Sequence, residues 1–235
     1  MIYYIFTLGL SGWDLVAFLL AYVIAITFAI TAHEYSHALM AYKFGDPTPK
    51  AMKRLSLNPI NHFDAWGVLS FILVGFGWAK PVPINPLNFR NYNKGRRGVS
   101  IIGILTNLVL AIFFSGFYYF FFEKLLAVGN MFCTFIAYLL MFCTIINLSL
   151  AIFNLIPIYP LDGFNFIATF MKPDNKFVQF MVRYGSLIML IFVVSPLFDL
   201  LYGAVMGGMT TLLQLFWGLF WWQKKKQKKG RKQSS

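Results

Sequence analysis

The sequence predicts an all-α polytopic membrane protein, and its composition is the first reason. Hydrophobic residues make up 59% of the 235 positions and charged residues only 12%, against roughly 25% charged residues in soluble domains. The mean hydropathy is +0.67. Long apolar runs without a charge, such as the one from Leu15 to Ala32, are typical of helices that span a bilayer.

Five apolar runs are long enough to cross a membrane, and a sixth is shorter. The five are Trp13–Phe44, Val99–Phe122, Met131–Pro157, Phe177–Val194 and Leu197–Trp222. The shorter run, Ala65–Ala79, is rich in glycine, and we expect it to be re-entrant or interfacial. The first residues contain no Lys or Arg and no cleavage pattern, so we expect no signal peptide. Residues 1–222 are predicted to form a single transmembrane domain.

The basic residues predict the topology. The net charge is +12, and seven of the 20 Lys and Arg residues lie between Lys224 and Lys232. The segments Lys43–Asp64 and Lys80–Arg97 hold four and five more. Because basic segments stay in the cytoplasm, we expect these segments and the C-terminus there, and the N-terminus outside. Residues 223–235 are predicted to be a disordered cytoplasmic tail that contacts anionic lipid. The charge gives no reason to expect nucleic-acid binding.

Two loops rich in proline and asparagine are expected to be extended. Ala51–Leu57 alternates polar and apolar residues like a short strand, and prolines 81, 83 and 86 favour extended backbone. The fold class therefore includes short extended or β-like loops near the site. Cys133 and Cys143 lie ten residues apart in one apolar run. That separation along a helix is too large for a disulfide.

The sequence HEYSH at the end of the first apolar run carries the chemistry. His33 and His37 are four residues apart, so a helix presents both imidazoles on one face, where they can share one zinc ion. Glu34 lies beside them and can take a proton from water. Ionisable groups inside a spanning segment are costly and usually functional. The alternative is a pair of histidines that bond to backbone in a helix bundle.

Zinc needs a third protein ligand, and the chain offers six candidates: His62, Asp64, Glu123, Asp162, Asp174 and Asp199. Asp162 lies in NLIPIYPLDG, where two prolines end the fourth apolar run. Irregular backbone at membrane depth is tolerated where it lines a site. From the residues alone, an ordinary helix cap explains Asp162 equally well.

The motifs HEYSH, NPINHFD, GWAKPVPINP and NLIPIYPLDG, in this order, resemble the site-2 protease family of intramembrane zinc metallopeptidases. The similarity covers about Thr27 to Gly163 and is strongest to small bacterial members without a PDZ or CBS domain. The resemblance implies His33, His37 and Asp162 as ligands of one Zn²⁺ per chain. It also implies Glu34 as catalytic acid/base, and Asn154 as a residue that helps at the reaction centre.

The resemblance further implies transmembrane proteins or peptides as substrates, cleaved in or near their spanning segments, and a bacterial plasma membrane as the location. One position departs from the family pattern: Gly103–Asn107 reads GILTN, with Ile104 where proline is common. We expect a local loss of rigidity there without loss of activity.

Some roles stay open at this point. His62 and Asp64 either line the site or bind a second metal. The alternative is that they hold a loop through hydrogen bonds to the backbone. Two other functions compete with proteolysis: a membrane protein that binds or transports a metal ion, and a scaffold for membrane clients. Glu34 discriminates between them, because hydrolysis needs a carboxylate beside the metal ligands and transport has little need of one.

Overall fold

The computed structural model describes residues 10, 12–64, 66–67, 80–172 and 174–233, with side chains described as far as Trp221. We number the α-helices of this part of the chain in order. They are α1 (Gly12–Phe44), α2 (Thr48–Ala51), α3 (Tyr92–Val128), α4 (Met131–Leu155), α5 (Asp162–Ala168), α6 (Lys176–Val193) and α7 (Pro196–Gln233). Single 3₁₀ turns occupy Pro59–Asn61 and Pro86–Asn88.

Five of these helices are long and apolar enough to cross a membrane: α1, α3, α4, α6 and α7. This confirms the all-α polytopic class and the five spanning candidates. The α3 helix begins at Tyr92, seven residues before the predicted start, because Asn91 caps it by accepting a hydrogen bond from the backbone N–H of Lys94. Of the predicted re-entrant run Ala65–Ala79, all but Trp66 and Gly67 lies outside the described residues, so that prediction is untested. Both cysteines are free, as expected.

The centre of the fold is the contact of α1 with α3 and α4. Every fourth residue of α1 from position 17 to position 41 is buried, and all but two of them are alanine: Ala17, Ala21, Ala25, Ala29, His33, His37 and Ala41. Small residues at this spacing let helices pack closely in a membrane. Beside this row, Phe18 packs edge-on against Phe142 of α4, with ring centroids 4.8 Å apart. The two histidines thus belong to the most closely packed face of α1.

Asp46 joins the turn after α1 to the proline-rich segment. Its side chain is fully buried and accepts hydrogen bonds from Thr48 N at 3.1 Å, Thr48 Oγ1 at 2.6 Å, Asn85 N at 2.7 Å and Asn88 Nδ2 at 2.8 Å. Residues 80–85 are extended, as the prolines predict, and Pro86 starts a 3₁₀ turn. One carboxylate therefore fixes two loops at this end of the bundle.

The prediction of a strand at Ala51–Leu57 is wrong. Ala51 ends α2, and Lys53 then adopts a left-handed conformation with φ of 57°, which turns the chain. Arg54 is buried and donates a hydrogen bond to the backbone carbonyl of Asn61. Ala51 and Leu57 are exposed while Arg54 is buried, so the alternation does not mark a buried and an exposed face, and the described residues contain no β-strand.

The α7 helix runs antiparallel to α4. Near its start, Phe198 contacts Phe153 at the end of α4, with ring centroids 6.3 Å apart. Just past its midpoint, the indole N–H of Trp217 donates to Ser115 Oγ of α3 at 2.8 Å. Since α3 is joined to α4 by a two-residue turn, the end of α7 lies near that turn, at the opposite end of the bundle from the loop that holds Asp46.

The position of α6 explains why α7 runs antiparallel to α4. Phe177 at its start contacts Phe164 of α5, and Phe192 at its end contacts Phe198 of α7. Both ends of α6 thus lie near the same end of α4. The predicted topology instead expects α6 to cross and α7 to return, bringing the basic tail to the side of the basic loops. The helix packing does not reproduce that expectation.

The backbone of α7 is helical as far as Gln233, where the sequence predicts a disordered tail from residue 223. Lysine, glutamine and arginine are good helix formers. They follow directly on an apolar helix with no proline to stop it, so the helix propagates without a new nucleus.

Candidate metal centre

Three side chains from two distant parts of the chain converge at one point. The Nε2 atoms of His33 and His37 on α1 lie 3.1 Å apart. Oδ2 of Asp162, the first residue of α5, lies 3.2 Å from His33 Nε2 and 3.1 Å from His37 Nε2. The histidines are buried and the side chain of Asp162 is 15% exposed. Among the described residues, this is the group of His, Cys, Asp and Glu that can hold a metal ion.

The end of α4 delivers Asp162 to this point. The helix ends at Leu155, and the following residues to Leu161 form turns. A Cβ added at Gly163 would lie 2.9 Å from Ile156 O and closer still to Leu155 O. Only glycine therefore lets α5 start against the end of α4, which explains the glycine after Asp162.

The second nitrogen of each imidazole has its own partner. His37 Nδ1 lies 2.8 Å from the backbone carbonyl of Val99, and His33 Nδ1 lies 2.5 Å from Asn107 Oδ1. A carbonyl only accepts, so the Nδ1 atoms carry the protons. Each Nε2 then presents a lone pair to the other and to Asp162.

This donor set fits a zinc ion. Asp162 Oδ2 is buried without a hydrogen bond although it lies within ion-pair distance of both Nε2 atoms. Three acceptor atoms facing one another repel unless a cation lies between them. Tetrahedral zinc with bonds of about 2.0–2.1 Å separates two ligand atoms by roughly 3.3 Å, close to the separations here. Two imidazoles and one carboxylate are the ligand types of catalytic zinc sites.

Gly103 makes room for the two rings. A Cβ added there would lie 2.8 Å from His33 Nε2 and closer to His37 Nε2. The α3 backbone thus covers the imidazoles at a distance that no other residue allows. In the sequence, Gly103 is distinguished only as the first residue of GILTN. Ile104, the residue that departs from the family pattern, is buried. Asn107 still forms its hydrogen bond with His33.

Glu34 lies close to the metal centre, whereas the described contacts of Asn154 are with its own helix. Glu34 is partly buried and its carboxylate lies close enough to His37 for an electrostatic interaction. Asn154 on α4 donates from Nδ2 to Leu150 O of its own helix at 3.0 Å. The described contacts do not bring Asn154 to the three ligand atoms.

His62 and Asp64 have local partners. His62 is fully buried, and its Nε2 lies 2.7 Å from Ser56 O. Asp64 Oδ1 accepts from the backbone N–H groups of Trp66 and Gly67, each at 3.0 Å. Both therefore hold the loop through bonds to backbone, as one of the two expectations had it. Glu123, Asp174 and Asp199 are not in the metal group.

An apolar groove lies on another face of α1. Its volume is about 370 Å³, and it is lined by Val23, Ile24, Thr27, Phe28, Thr31, Ala32, Leu57 and Pro59. Thr31 and Ala32, the last residues of α1 that line it, lie within one turn of Glu34. The Oγ1 of Thr31 is buried without a partner. A larger cavity of about 540 Å³ lies beside Trp217 and Ser115, but Ser115 is about 18 Å along α3 from Gly103, too far from the histidines to serve them.

Sequence reasoning missed one residue of the centre. Asn147 of α4 is fully buried and accepts a hydrogen bond from Asn107 Nδ2 at 2.8 Å. An amide inside an apolar run is a signal of function or of a buried network, and that signal was present in the sequence.

Comparison with known proteins agrees with this site. The model of peptidase family M50 matches residues 21–193. The chain belongs to this family. It is 38% identical over 204 residues to the protein named "Putative zinc metalloprotease YwhC" of Bacillus subtilis, an alignment that covers 84% of this chain and 91% of that one. It is also 25% identical over 198 residues to "Putative zinc metalloprotease Rip2" of Mycolicibacterium smegmatis, covering 82% and 68%. No solved structure matches the chain.

Membership of family M50, the site-2 proteases, confirms the resemblance found in the sequence. The protein is a zinc-dependent intramembrane metallopeptidase, a multi-pass membrane enzyme that acts on membrane proteins. Metal-ion transport is not favoured.

Proposed function

We propose that His33, His37 and Asp162 hold one Zn²⁺ per chain and that Glu34 moves the protons of peptide hydrolysis. The convergence of three unprotonated acceptor atoms within 3.2 Å of one another carries this proposal. Each ligand is fixed from behind, since His37 bonds Val99 O and His33 bonds Asn107. Such partners orient ligands and raise their basicity.

A zinc ion, when bound, supplies a Lewis acid that polarises water and the peptide carbonyl. Glu34 accepts one proton from the attacking water and passes it to the leaving nitrogen as the C–N bond breaks. Its place beside the ligand His33 suits this role, because proton transfer needs a carboxylate within hydrogen-bond reach of the reacting atoms. Gly103 keeps the α3 backbone close over the imidazoles, which limits the water that reaches them.

The groove on α1 is the entry that we propose for the substrate. Its walls are mainly apolar, as a spanning segment requires, and its lining extends to Thr31 and Ala32, within one turn of Glu34. A spanning helix hides its carbonyls in its own hydrogen bonds and must unwind to be cut. The Thr31 hydroxyl, buried without a partner, suits an unwound backbone, which has free donors and acceptors.

Asn154 keeps a smaller proposed role. Its amide uses one N–H on Leu150 O, which leaves its second N–H and its carbonyl for substrate backbone. Hydrogen bonds of this kind orient an extended peptide and stabilise developing charge.

We keep the loops 45–64 and 80–91 and the basic tail as cytoplasmic, and the N-terminus as external, on the strength of their charge. For the tail, this requires α6 to cross the membrane and α7 to run opposite to the direction seen here. Thiol labelling of Ser235→Cys, with Cys133 and Cys143 replaced by alanine, tests it in sealed cells. Protection from an impermeant reagent is the expected result, and labelling from outside would support the packing of α7 instead. The tail lysines then contact anionic lipid.

The experiment that tests the function compares the two glutamates of the chain. The Glu34→Gln variant should retain one zinc ion and lose at least about 100-fold of its cleavage of a spanning model peptide, because general acid–base catalysis contributes roughly 10²–10⁴. The Glu123→Gln variant, changed in the turn region far along α3, should cleave normally. Cleavage by Glu34→Gln at the wild-type rate would reject the assignment.

A further inference from the structure

A row of hydrogen bonds runs from the backbone of α4 to the metal centre. Asn147 Nδ2 donates to Cys143 O at 2.7 Å. Asn107 Nδ2 of α3 donates to Asn147 Oδ1 at 2.8 Å. Asn107 Oδ1 meets His33 Nδ1 at 2.5 Å. Both asparagines have no exposed surface, so water does not compete for any of these bonds.

The direction of this row is fixed at its far end. Cys143 O is a backbone carbonyl and can only accept, so the group that Asn147 turns toward it must be its NH₂. The Asn147 carbonyl then faces Asn107 and must receive an N–H. Asn107 therefore turns its own NH₂ toward Asn147, and its carbonyl faces His33.

The last link decides which nitrogen of His33 carries the proton. A carbonyl at 2.5 Å from Nδ1 requires a proton on Nδ1, which leaves Nε2 with the lone pair that a metal needs. A second acceptor, Ala29 O at 3.3 Å from Asn107 Nδ2, supports the same orientation with a longer bond. Asn147 supplies the shorter of the two restraints on the Asn107 amide.

We propose that Asn147 is a positioning residue that sets the tautomer of His33 through Asn107, and so keeps Nε2 ready for zinc. This inference rests on the proposed metal site. Without Asn147, one N–H of Asn107 is buried unpaired, and the longer bond to Ala29 O is left to oppose rotation of the amide. Such rotation would place an NH₂ against His33 Nδ1 and favour the tautomer whose Nε2 is protonated.

The test measures zinc affinity by competition with a chelator in the purified full-length protein. Removing a group that bonds a metal ligand directly costs roughly 10–100-fold in affinity. Asn147 acts one link further out, through Asn107, so we expect Asn147→Leu to lose about tenfold, the lower end of that range. Asn147→Asp should recover most of the loss. A buried carboxyl stays neutral, and the neutral acid both donates to Cys143 O and accepts from Asn107.

Thr144→Val is the matched control, because Thr144 is buried on the same helix and its hydroxyl bonds Leu140 O of its own helix. It should bind zinc like the wild type. An Asn147→Leu protein within twofold of wild-type zinc affinity would overturn the proposal. If the wild type itself binds no zinc, the metal site fails and not this link alone.

The tautomer of His33 offers a second test, and its first part uses the wild type alone. The chain has three histidines, so its ¹⁵N histidine spectrum can be assigned in the zinc-free protein, where no metal fixes the tautomer. We expect a slowly exchanging proton on Nδ1 of His33, and its signal should shift in Asn147→Leu and stay unchanged in Thr144→Val. A bare Nδ1 on His33 in the wild type would contradict the proposal.

Discussion

The bundle of α1, α3 and α4 differs from the pair α6 and α7 in how much of each helix is covered. About a third of the most apolar stretch of α1 and α3, and 44% of that of α4, is buried, against 6% for α6 and none for α7. Of the three proposed zinc ligands and the groups that bond them, all but Asp162 come from the first bundle. The outer pair meets it through a few aromatic contacts and the hydrogen bond from Trp217 to Ser115.

This difference indicates that close packing is needed around the proposed catalytic groups. Catalytic groups must be held within about 0.5 Å of their productive geometry. The alanine row of α1 and Gly103 of α3 let the helices pack closely enough around His33 and His37 to hold them. In a membrane the driving force for such contacts is packing, since lipid is as apolar as leucine. The outer helices can face lipid on most sides without loss.

The largest difference between the inner bundle and the outer pair is expected for a substitution at Gly103. Gly103→Ala should lose zinc binding and at least about 1,000-fold of cleavage, because its Cβ would occupy the space of both imidazoles. The matched change Gly203→Ala on α7 meets no atom within 4 Å. Zinc content and peptide cleavage of the two purified variants give the result. Equal zinc content in both would show that the rings move aside at no cost.

A leucine pair tests the same contrast in stability. Leu148 of α4 is 0% exposed and Leu212 of α7 is 60% exposed. Leu148→Ala should reduce the free energy of unfolding by about 2–5 kcal/mol through the cavity it leaves. Leu212→Ala should change it by less than about 0.5 kcal/mol. Denaturation in detergent micelles measures both, and similar losses would mean that α7 packs as tightly as α4.

Asp46 allows the stability of the loops to be tested in the same way, through its dependence on pH. Burial alone would raise the pKa of Asp46, but hydrogen bonds from Thr48, Asn88 and Asn85 outweigh it and hold the pKa below 3.8. A lowered folded-state pKa gives stability that is present above pH 4 and is lost as the pH falls through the folded-state pKa. Asp46→Asn should cost about 2 kcal/mol at pH 7, with a smaller difference from wild type below pH 4.

Thermal unfolding of the wild type, Asp46→Asn and the exposed control Asp199→Asn at pH 7 and below pH 4 measures this effect. The control should match the wild type at both values. A constant difference between Asp46→Asn and the wild type across this range would mean that the carboxylate charge is not what joins the loops.

The smallest effect is expected at the groove, on the boundary between the two regions. Thr27→Trp should fill it and reduce cleavage by about tenfold with zinc retained. Leu20→Trp, on α1 but outside the groove and 49% exposed, should leave cleavage unchanged. The ratio of cleavage rates with a spanning peptide is the measurement. Equal rates would move the substrate entry elsewhere.

Much of this architecture was readable from the sequence, and the failures have physical causes. The charge-free runs and HEYSH predicted the spanning helices and the two histidines, since both depend on local spacing. Asp162 needed the resemblance, because no local rule says which distant carboxylate meets a histidine pair. The alternation at Ala51–Leu57 gave a false strand because burial does not follow the pattern: Ala51 and Leu57 are exposed, whereas Arg54 is buried.

Other features of the sequence are explained only by the way the helices pack. The alanines at every fourth position of α1 end in His33 and His37, which marks the face that the other helices cover. Charge indicates the side of the membrane on which a loop lies and not the contacts between helices, so the contacts of α7 with Phe153 and Ser115 were not predicted.

The most direct test of the account is the zinc content of two aspartate variants. The central claim is that Asp162 completes the metal site with His33 and His37. Wild type and the exposed control Asp174→Ala should each bind one zinc ion per chain, whereas Asp162→Ala should lose it under the same dialysis. Full zinc retention by Asp162→Ala, at wild-type affinity, would contradict the claim.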